Sequence, residues 1–551
     1  MSWSKVLFVA LLVILASCQA VGGFDVNKAL VEAVVAKSME GKGEFALHLE
    51  MDEKAQMAPE QRAMLKVFEK MTVSLESIKM ESSARMSVKG TASIASYTIP
   101  FEAGVTEEQI VLKVDGGKKP IVFNLKDQSA STEMEPFLTE LQKKLSDGEL
   151  SRGIMSYFIK QLPNPSKINV ENVSELIHGE TVSLHKLHSE ITGKELLPLV
   201  KAFVKNVLKD DESLKELIGQ LYDALYPIIA AELEKAIKSV PEEVEGMDEE
   251  GMDEEEMDLY YVDELTPYNS SPIGQVKTVM QPIVTGIKAV LDDRDIAIEV
   301  IHTEVKQLFV IALVALESTG KEAQKALDTA FNQDSWFKTD LFFDNSFKLR
   351  KSDTSMKIAV PPQENSGGIA SVGITMSMEN WNVNGNVKAD SIPMQGGAFT
   401  FDKGMKPADL LQNFDPNSAV YQLLKKDLGI AKISLPLFLG TGEYVPNRQQ
   451  PFIERGVTMV PIRFIAERLN AKVEWNSTDQ TITVTDPLAS RTIVLRGGSN
   501  IAIVDGKSTA MEVEVLIRDD NSFVPLTFIV NQLGGKTSWN EAMRTVIITK
   551  D

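Results

Sequence analysis

From Asp25 onward the apolar residues change period several times, and each change marks an element. Val26, Leu30, Val34 and Val35 recur at helical spacing, which predicts a helix within residues 25–38. Phe45 to Met51 alternates as a strand does, Met57 to Met71 returns to a helical period, and three strand-like stretches follow between Thr72 and Lys126. Glu133 to Leu162 and Lys194 to Val240 read as helices, with a strand over Glu180–Ile191 between them. The second helical stretch carries Leu196, Leu199, Val200, Phe203, Val204 and Val207 on one continuous face, which must be buried. Ile273 to Phe331 is mostly helical and contains the unbroken apolar run Leu308–Leu316. That run is too short to span a bilayer and is expected as a buried core helix. Strands return over Trp336–Val360 and Ile369–Ala389, split near Asp344-Asn345 and Asn380–Asn384, and Pro407–Asp427 is helical again.

Strands, a helical middle and more strands predict one α+β domain over residues 25–435: a large curved antiparallel sheet whose concave face packs against the apolar helices. The order of elements, and Ile177-His178-Gly179-Glu180 leading into a strand and helix, resembles the half-barrel of bacterial lipoprotein carriers and related surface lipoproteins. In that family the space between sheet and helices can hold an acyl chain. Here the same faces are either packed shut or enclose a lipid-sized cavity.

The last hundred residues repeat themselves. Val460-Pro461-Ile462-Arg463-Phe464-Ile465 returns 64 residues later as Val524-Pro525-Leu526-Thr527-Phe528-Ile529. Without a gap, the same offset maps Leu469 onto Leu533, Trp475 onto Trp539, Asn476 onto Asn540 and Thr481–Thr485 onto Thr545–Thr549. Each unit reads as a helix with Pro in its first turn, a left-handed stop at Asn470 or Gly534, a strand with Trp, a turn and a β-branched strand. One unit is too small to bury its Trp, so the two are expected to share a core, with Trp475 and Trp539 inside it; the alternative is that these Trp present aromatic platforms for sugars. Residues 449–551 resemble the copper amine oxidase N-terminal-like domain, a small α+β tandem-repeat module that recurs in envelope proteins of Gram-positive bacteria. Thr527 stands where the first repeat has Arg463, so a polar contact made by Arg463 is lost in the second. The resemblance carries no oxidase chemistry. The five His (His48, His178, His185, His188 and His302) all lie outside the module, and no Asn-Tyr pair for a self-made quinone occurs.

The leader changes the picture more than composition does. Lys5, ten apolar residues from Val6 to Leu15, and Ala16-Ser17-Cys18 have the form of a secretory signal peptide over residues 1–18. Leu15-Ala16-Ser17-Cys18 resembles the lipobox, in which the Cys thiol receives a diacylglyceryl group. Cys18 is the only Cys in 551 residues, so disulfides within the chain are excluded. Two or more acyl chains would hold a soluble protein at a membrane, where one would not. A short tether over 19–24 and a linker over 436–448 complete the division.

The net charge of −21 argues against nucleic acid, whose phosphates need a basic face. Thirteen acidic residues and no basic one fall within Glu242–Glu264, which predicts a solvated, disordered acidic insertion over 241–272. His185 and His188, three apart on a strand, point to opposite faces and so do not form a metal pair. Gly506-Lys507-Ser508 lacks the first Gly of a phosphate loop, and no Gly-x-Ser-x-Gly elbow or His-Glu-x-x-His helix occurs. The expectation is therefore a protein that is not an enzyme, without cofactor or metal. It would be held through Cys18 on the outer face of the cytoplasmic membrane and act as a binding, adaptor or sensor protein toward wall polymer or an envelope partner. The alternative is a carrier of lipid or another hydrophobic ligand.

Overall fold

The computed structural model describes residues 22–125, 144, 148–238, 285–317, 332–360, 368–401, 405–438, 444–445, 450–540 and 545–550. The leader with Cys18, most of the expected helix before Gly148 and the acidic insertion lie outside the described residues.

Twelve strands make one sheet. The first six are β1 (Met39–Met51), β2 (Lys70–Ser82), β3 (Arg85–Ile94), β4 (Tyr97–Val105), β5 (Gln109–Val114) and β6 (Ile121–Asn124). A second set follows the helical middle: β7 (Lys167–Ile177), β8 (Glu180–Thr192), β9 (Trp336–Phe343), β10 (Leu349–Ala359), β11 (Ile369–Trp381) and β12 (Phe399–Thr400). The order is β12-β6-β5-β4-β3-β2-β1-β11-β10-β9-β8-β7, so β1 and β11 join two meanders. Every pairing is antiparallel except the short parallel one of β12 on β6. The fold is thus the expected α+β half-barrel, with more strands than the alternation marked. β7 was not expected. It is the edge strand, and its mostly polar residues leave no apolar period to read.

The pleat gives the sheet two unlike faces. On β1, Phe45, Leu47 and Leu49 alternate with Glu44 and His48, and the register continues both rows. Phe45 lies opposite Met376 and Val73, while Glu44 lies opposite Ser377 and Ser74. At one end, α1 (Val26–Val34) and α3 (Gly148–Gln161), together with α4 (Gly193–Lys209), cover the apolar face; Leu30, Ile159, Leu187, Leu341 and Phe343 are buried there. Asp25 caps α1 by accepting from the Lys28 amide at 3.0 Å. Phe24, expected in the tether, is buried in this core and stacks on His185 with ring centres 4.5 Å apart. At the other end, α2 (Pro59–Val67), α7 (Pro407–Gln412), α8 (Ala419–Gln422) and the turns after them cover β4–β6 around Leu411 and Phe414.

A third layer, α5 (Asp211–Lys238) and α6 (Arg294–Glu317), packs outside α3 and α4 through Tyr157, Val207, Leu214 and Ile218. Burial pushes the Tyr157 phenol up to about 12, helped by Asp210 and Asp211. Asp210 joins α4 to α5; burial pushes its carboxyl up, but hydrogen bonds from Gln161, Lys160 and Ser213 outweigh that and hold it at about 2. The run Leu308–Leu316 is not the buried helix expected of it: Leu308, Ile311 and Val314 are about two-thirds exposed. Among the described residues one side of α6 is used, with Ile298, Ile301, Val305 and Phe309 packed inward. No helix among the described residues is long and apolar enough to cross a membrane.

The remaining strands build the C-terminal unit: β13 (Ile433–Phe438), β14 (Phe452–Glu454), β15 (Val457–Pro461), α9 (Ile462–Arg468), β16 (Lys472–Asn476), β17 (Thr481–Asp486) and β18 (Arg491–Arg496). They continue as β19 (Ile501–Val504), β20 (Lys507–Ala510), β21 (Leu516–Arg518), β22 (Asn521–Pro525), α10 (Leu526–Gln532), β23 (Gly535–Asn540) and β24 (Thr545–Lys550). One core of Val460, Ile465, Leu469, Ile482 and Val484 with Val524, Ile529, Leu533 and Ile548 serves both repeats, as expected. The helices stop at Asn470 (φ 63°) and Gly534 (φ 75°), the left-handed positions the repeat marked. The boundary expected at residue 435 falls inside a strand. β13 pairs along its whole length with β24, from Ile433 opposite Lys550 to Phe438 opposite Thr545, so 433–438 belong to the second unit's sheet.

Candidate functional site

Among the described residues three surfaces have the chemistry to hold something. The first is on the C-terminal unit and follows from its internal symmetry. β15 and β22 pair antiparallel about Val460 opposite Val524, two residues 64 apart. Glu454 and Arg518, also 64 apart, form an ion pair at 2.9 Å. So do Asp486 and Lys550 at 2.7 Å, both almost fully buried. Lys550 also donates to the Leu469 carbonyl at 2.7 Å, and Asp486 accepts from the Leu488 and Ala489 amides. Partners at equal positions in two repeats can bond to each other only about a two-fold axis, so the repeats face one another across one. The Trp residues obey the same relation but are not core: Trp475 is 46% exposed and Trp539 50%. Each sits near the end of an edge strand, β16 in a five-stranded sheet and β23 in a three-stranded one. Their cross-strand partners are Ile482, inside the shared core, and Val546, packed against it. Arg463 donates to the Val473 carbonyl at 3.2 Å and pairs with Glu467; Thr527, in its place in the second repeat, carries no guanidinium to do so.

The second surface is the charged face of the large sheet. The β7–β8 hairpin turns at His178 (φ 50°) and Gly179 (φ 85°), the left-handed pair a two-residue hairpin loop requires. It runs past the last β8–β9 pair, His185 opposite Phe343, and folds over. Four inter-strand steps separate β7 from β11, about 19 Å in a flat sheet. Yet the His178 amide donates to Glu379, the His178 ring stacks on Trp381 at 4.1 Å, and Lys351 of β10 reaches Glu175 of β7 at 3.1 Å. The sheet therefore curls toward its charged face there. The hollow, about 700 Å³, is lined by Glu44, Glu76, His188, Lys338, Asp340, Asp353 and Ser377 among others. Over these strands that face is polar along the hollow and lies opposite the helices, and beneath the hairpin it carries a small apolar core of Ile177, Leu184 and Phe342.

Most charges in the hollow are already paired. Lys42 meets Glu379 at 3.3 Å, Lys338 meets Glu190 at 3.2 Å, and Ser377 donates to Asp353 at 2.6 Å. Burial works against the Lys186 ammonium, but Asp340 and Glu171 outweigh it and raise its pKa. His188 Nδ1 lies 2.6 Å from Asp340, and its Nε2 lies 3.6 Å from Glu190 rather than beside a nucleophile. His185, as expected, is on the opposite face, against Phe24 and 3.1 Å from Asn345. Among the described residues no group of three or more His, Cys, Asp or Glu has the arrangement of a metal site.

The third surface is the apolar face between its two helical caps. Phe45, Leu47, Val73, Ile374, Met376 and Met378 are only half-buried there. Among the described residues none of them joins the clusters on either side.

The symmetric pair of helix-and-hairpin units defines a class of module. Residues 441–548 match the family described as copper amine oxidase N-terminal domain. No curated protein and no solved structure matches the chain.

Proposed function

We propose that this chain is a non-catalytic lipoprotein of the cell envelope, tethered through Cys18 to the outer face of the cytoplasmic membrane. Its C-terminal module contacts wall polymer or an envelope partner. The observation that carries the reading is the exposure of Trp475 and Trp539, two rigid aromatic side chains that a packed core would have claimed. The leader ending at Cys18 supports the location, and the engagement of the His188 ring with Asp340 and Glu190 supports a binding role over a catalytic one. The soluble part of the chain, residues 19–551, is expected to be retained by purified cell wall above a control domain; equal retention removes the wall-binding part.

A second reading has its own observation. The half-buried strip around Phe45, Leu47 and Met376 is the kind of apolar wall that holds an acyl chain. Native mass spectrometry of residues 19–551 decides it: a co-purifying lipid favours a carrier, and a clean apo mass removes that role.

A further inference from the structure

α6 has two apolar sides. The inner one, with Ile298, Ile301, Val305 and Phe309, packs in the third layer. The outer one runs Ile296, Val300, Thr303, Gln307, Val310 and Val314, all of them exposed. The steps between them are four, three, four, three and four residues, which is a heptad seam rather than the broad stripe of an ordinary surface helix. Leu308 and Ile311 border it and are 66% and 64% exposed.

A seam of that period is the complement of another helix, whose side chains interlock with it at the same spacing. It does not suit a lipid surface, where a helix needs a wide apolar face flanked by free Lys and Arg. The two strongly basic side chains of α6 are already engaged: Arg294 pairs with Asp223 at 2.7 Å and Lys306 with Asp211 at 2.5 Å. Glu299 and Glu317 are likewise tied back, to Lys215 and Lys205. The six seam positions themselves carry no charge.

The order of side chains selects a second copy of this chain. From either end the seam reads as two aliphatic residues, two polar ones and two aliphatic ones. Turned about the midpoint between Thr303 and Gln307, it lays Ile296 on Val314, Val300 on Val310 and Thr303 on Gln307 of the other copy. That is the self-complementarity a two-fold interface requires. The antiparallel arrangement also sets unlike helix ends side by side. A hydroxyl facing an amide at the centre fixes the register, because any slip would strand both against apolar side chains.

The size agrees. The exposed parts of Ile296, Val300, Leu308, Val310, Ile311 and Val314 amount to roughly 500–600 Å² on one copy, the upper end of what a monomer displays. Two such faces bury about 1,000–1,200 Å², the lower edge of a specific interface. The pair is therefore weak, with a dissociation constant on the order of 10 µM. In more dilute solution the outer side of α6 carries no load.

We propose that two copies of this chain associate through the outer seam of α6, antiparallel about Thr303 and Gln307.

The test is sedimentation equilibrium of residues 19–551, at about 0.15 M salt to screen the repulsion between two acidic chains. A monomer–dimer equilibrium near the stated constant is expected. Val300→Glu combined with Val310→Glu brings like charges together across the seam and should weaken it about 10²-fold or more. Both positions are exposed, so the unfolding midpoint of the dilute chain should stay where it was. Without Cys18 the chain has no cysteine, which leaves a clean background for cross-linking. Ile296→Cys mixed with Val314→Cys should form a disulfide between copies under mild oxidation, and neither variant alone should. A chain that stays monomeric to about 200 µM, far above the expected constant, overturns the proposal; flotation with phosphatidylcholine vesicles then reads whether the seam serves lipid instead. A dimer that survives the double Glu variant, or a cross-link formed by either Cys variant alone, overturns it as well.

Discussion

Lys550→Met tests whether the two repeats are locked together by the charge pair at their centre. Lys550 is 8% exposed and Asp486 is fully buried, and the ammonium bonds to both the Asp486 carboxylate and the Leu469 carbonyl at 2.7 Å. Met replaces the aliphatic stem with little change in volume, so the loss is electrostatic rather than a cavity. Removing one partner of a buried pair leaves the other charge uncompensated, which costs about 3–5 kcal/mol, roughly two to nearly four powers of ten in the unfolding constant. Asp486 retains two backbone donors, Leu488 at 3.0 Å and Ala489 at 3.1 Å, which places the expectation near the lower end. The assay is urea unfolding of residues 19–551, with hydrogen exchange on β17 and β24 to assign the transition to this unit. Asp486→Asn combined with Lys550→Met should recover part of the loss, because no charge is then stranded. A Lys550→Met loss below about 1 kcal/mol, the range of an exposed pair, would refute the reasoning, since the pair would then be behaving as a surface one.

Other outcomes follow from the same geometry. Asp210 is depressed from 3.8 to about 2, so its stabilisation of the helical layer is complete above pH 4 and lost as pH falls toward 2. Asp210→Asn should flatten that part of the acid-unfolding curve. Ile311→Gln on the exposed side of α6 should shift stability by no more than about 0.5 kcal/mol, whereas Ile159→Ala beneath α1 should cost about 2–5 kcal/mol; thermal unfolding of the two variants compares them. Cys18→Ser should abolish labelling by a radioactive fatty acid and release the chain from membranes; labelling that survives would move the anchor elsewhere. Arg463→Ala removes a hydrogen bond that only the first repeat has, so it should loosen exchange protection on β16 and leave β23 as it was.

The sequence made the repeat legible because 64 residues separate every corresponding pair, and that period survives any error in assigning single elements. It even contained the cross-repeat ion pair, since Asp486 and Lys550 stand at the same register, but opposite charges at one position read as divergence until a two-fold axis is seen. Burial was less legible. Trp475 and the Leu308–Leu316 run were assigned inside on residue type, which states a preference for burial and not whether neighbours exist to provide it. The curl that hollows the charged face comes from a hairpin folding over four strands, a long-range event with no local period. β13 was hidden by its own Pro436, which reads as a break but is tolerated on an edge strand.

The join between the two units has a mechanical meaning. Leu428, Ile430 and Ala431 pack in the half-barrel's second core, and Ile433, Leu435 and Leu437 pack in the other unit's core, leaving Lys432 alone between them. Leu488 leans back onto that same half-barrel core, and Lys406 reaches across to the Glu467 carbonyl. A tug on the last repeat therefore meets no slack cord: it passes through a strand hydrogen-bonded along its length and into residues packed on the great sheet. Cutting the chain just upstream of the repeats would also bare the flank of β24, turning a well-behaved module into a sticky one.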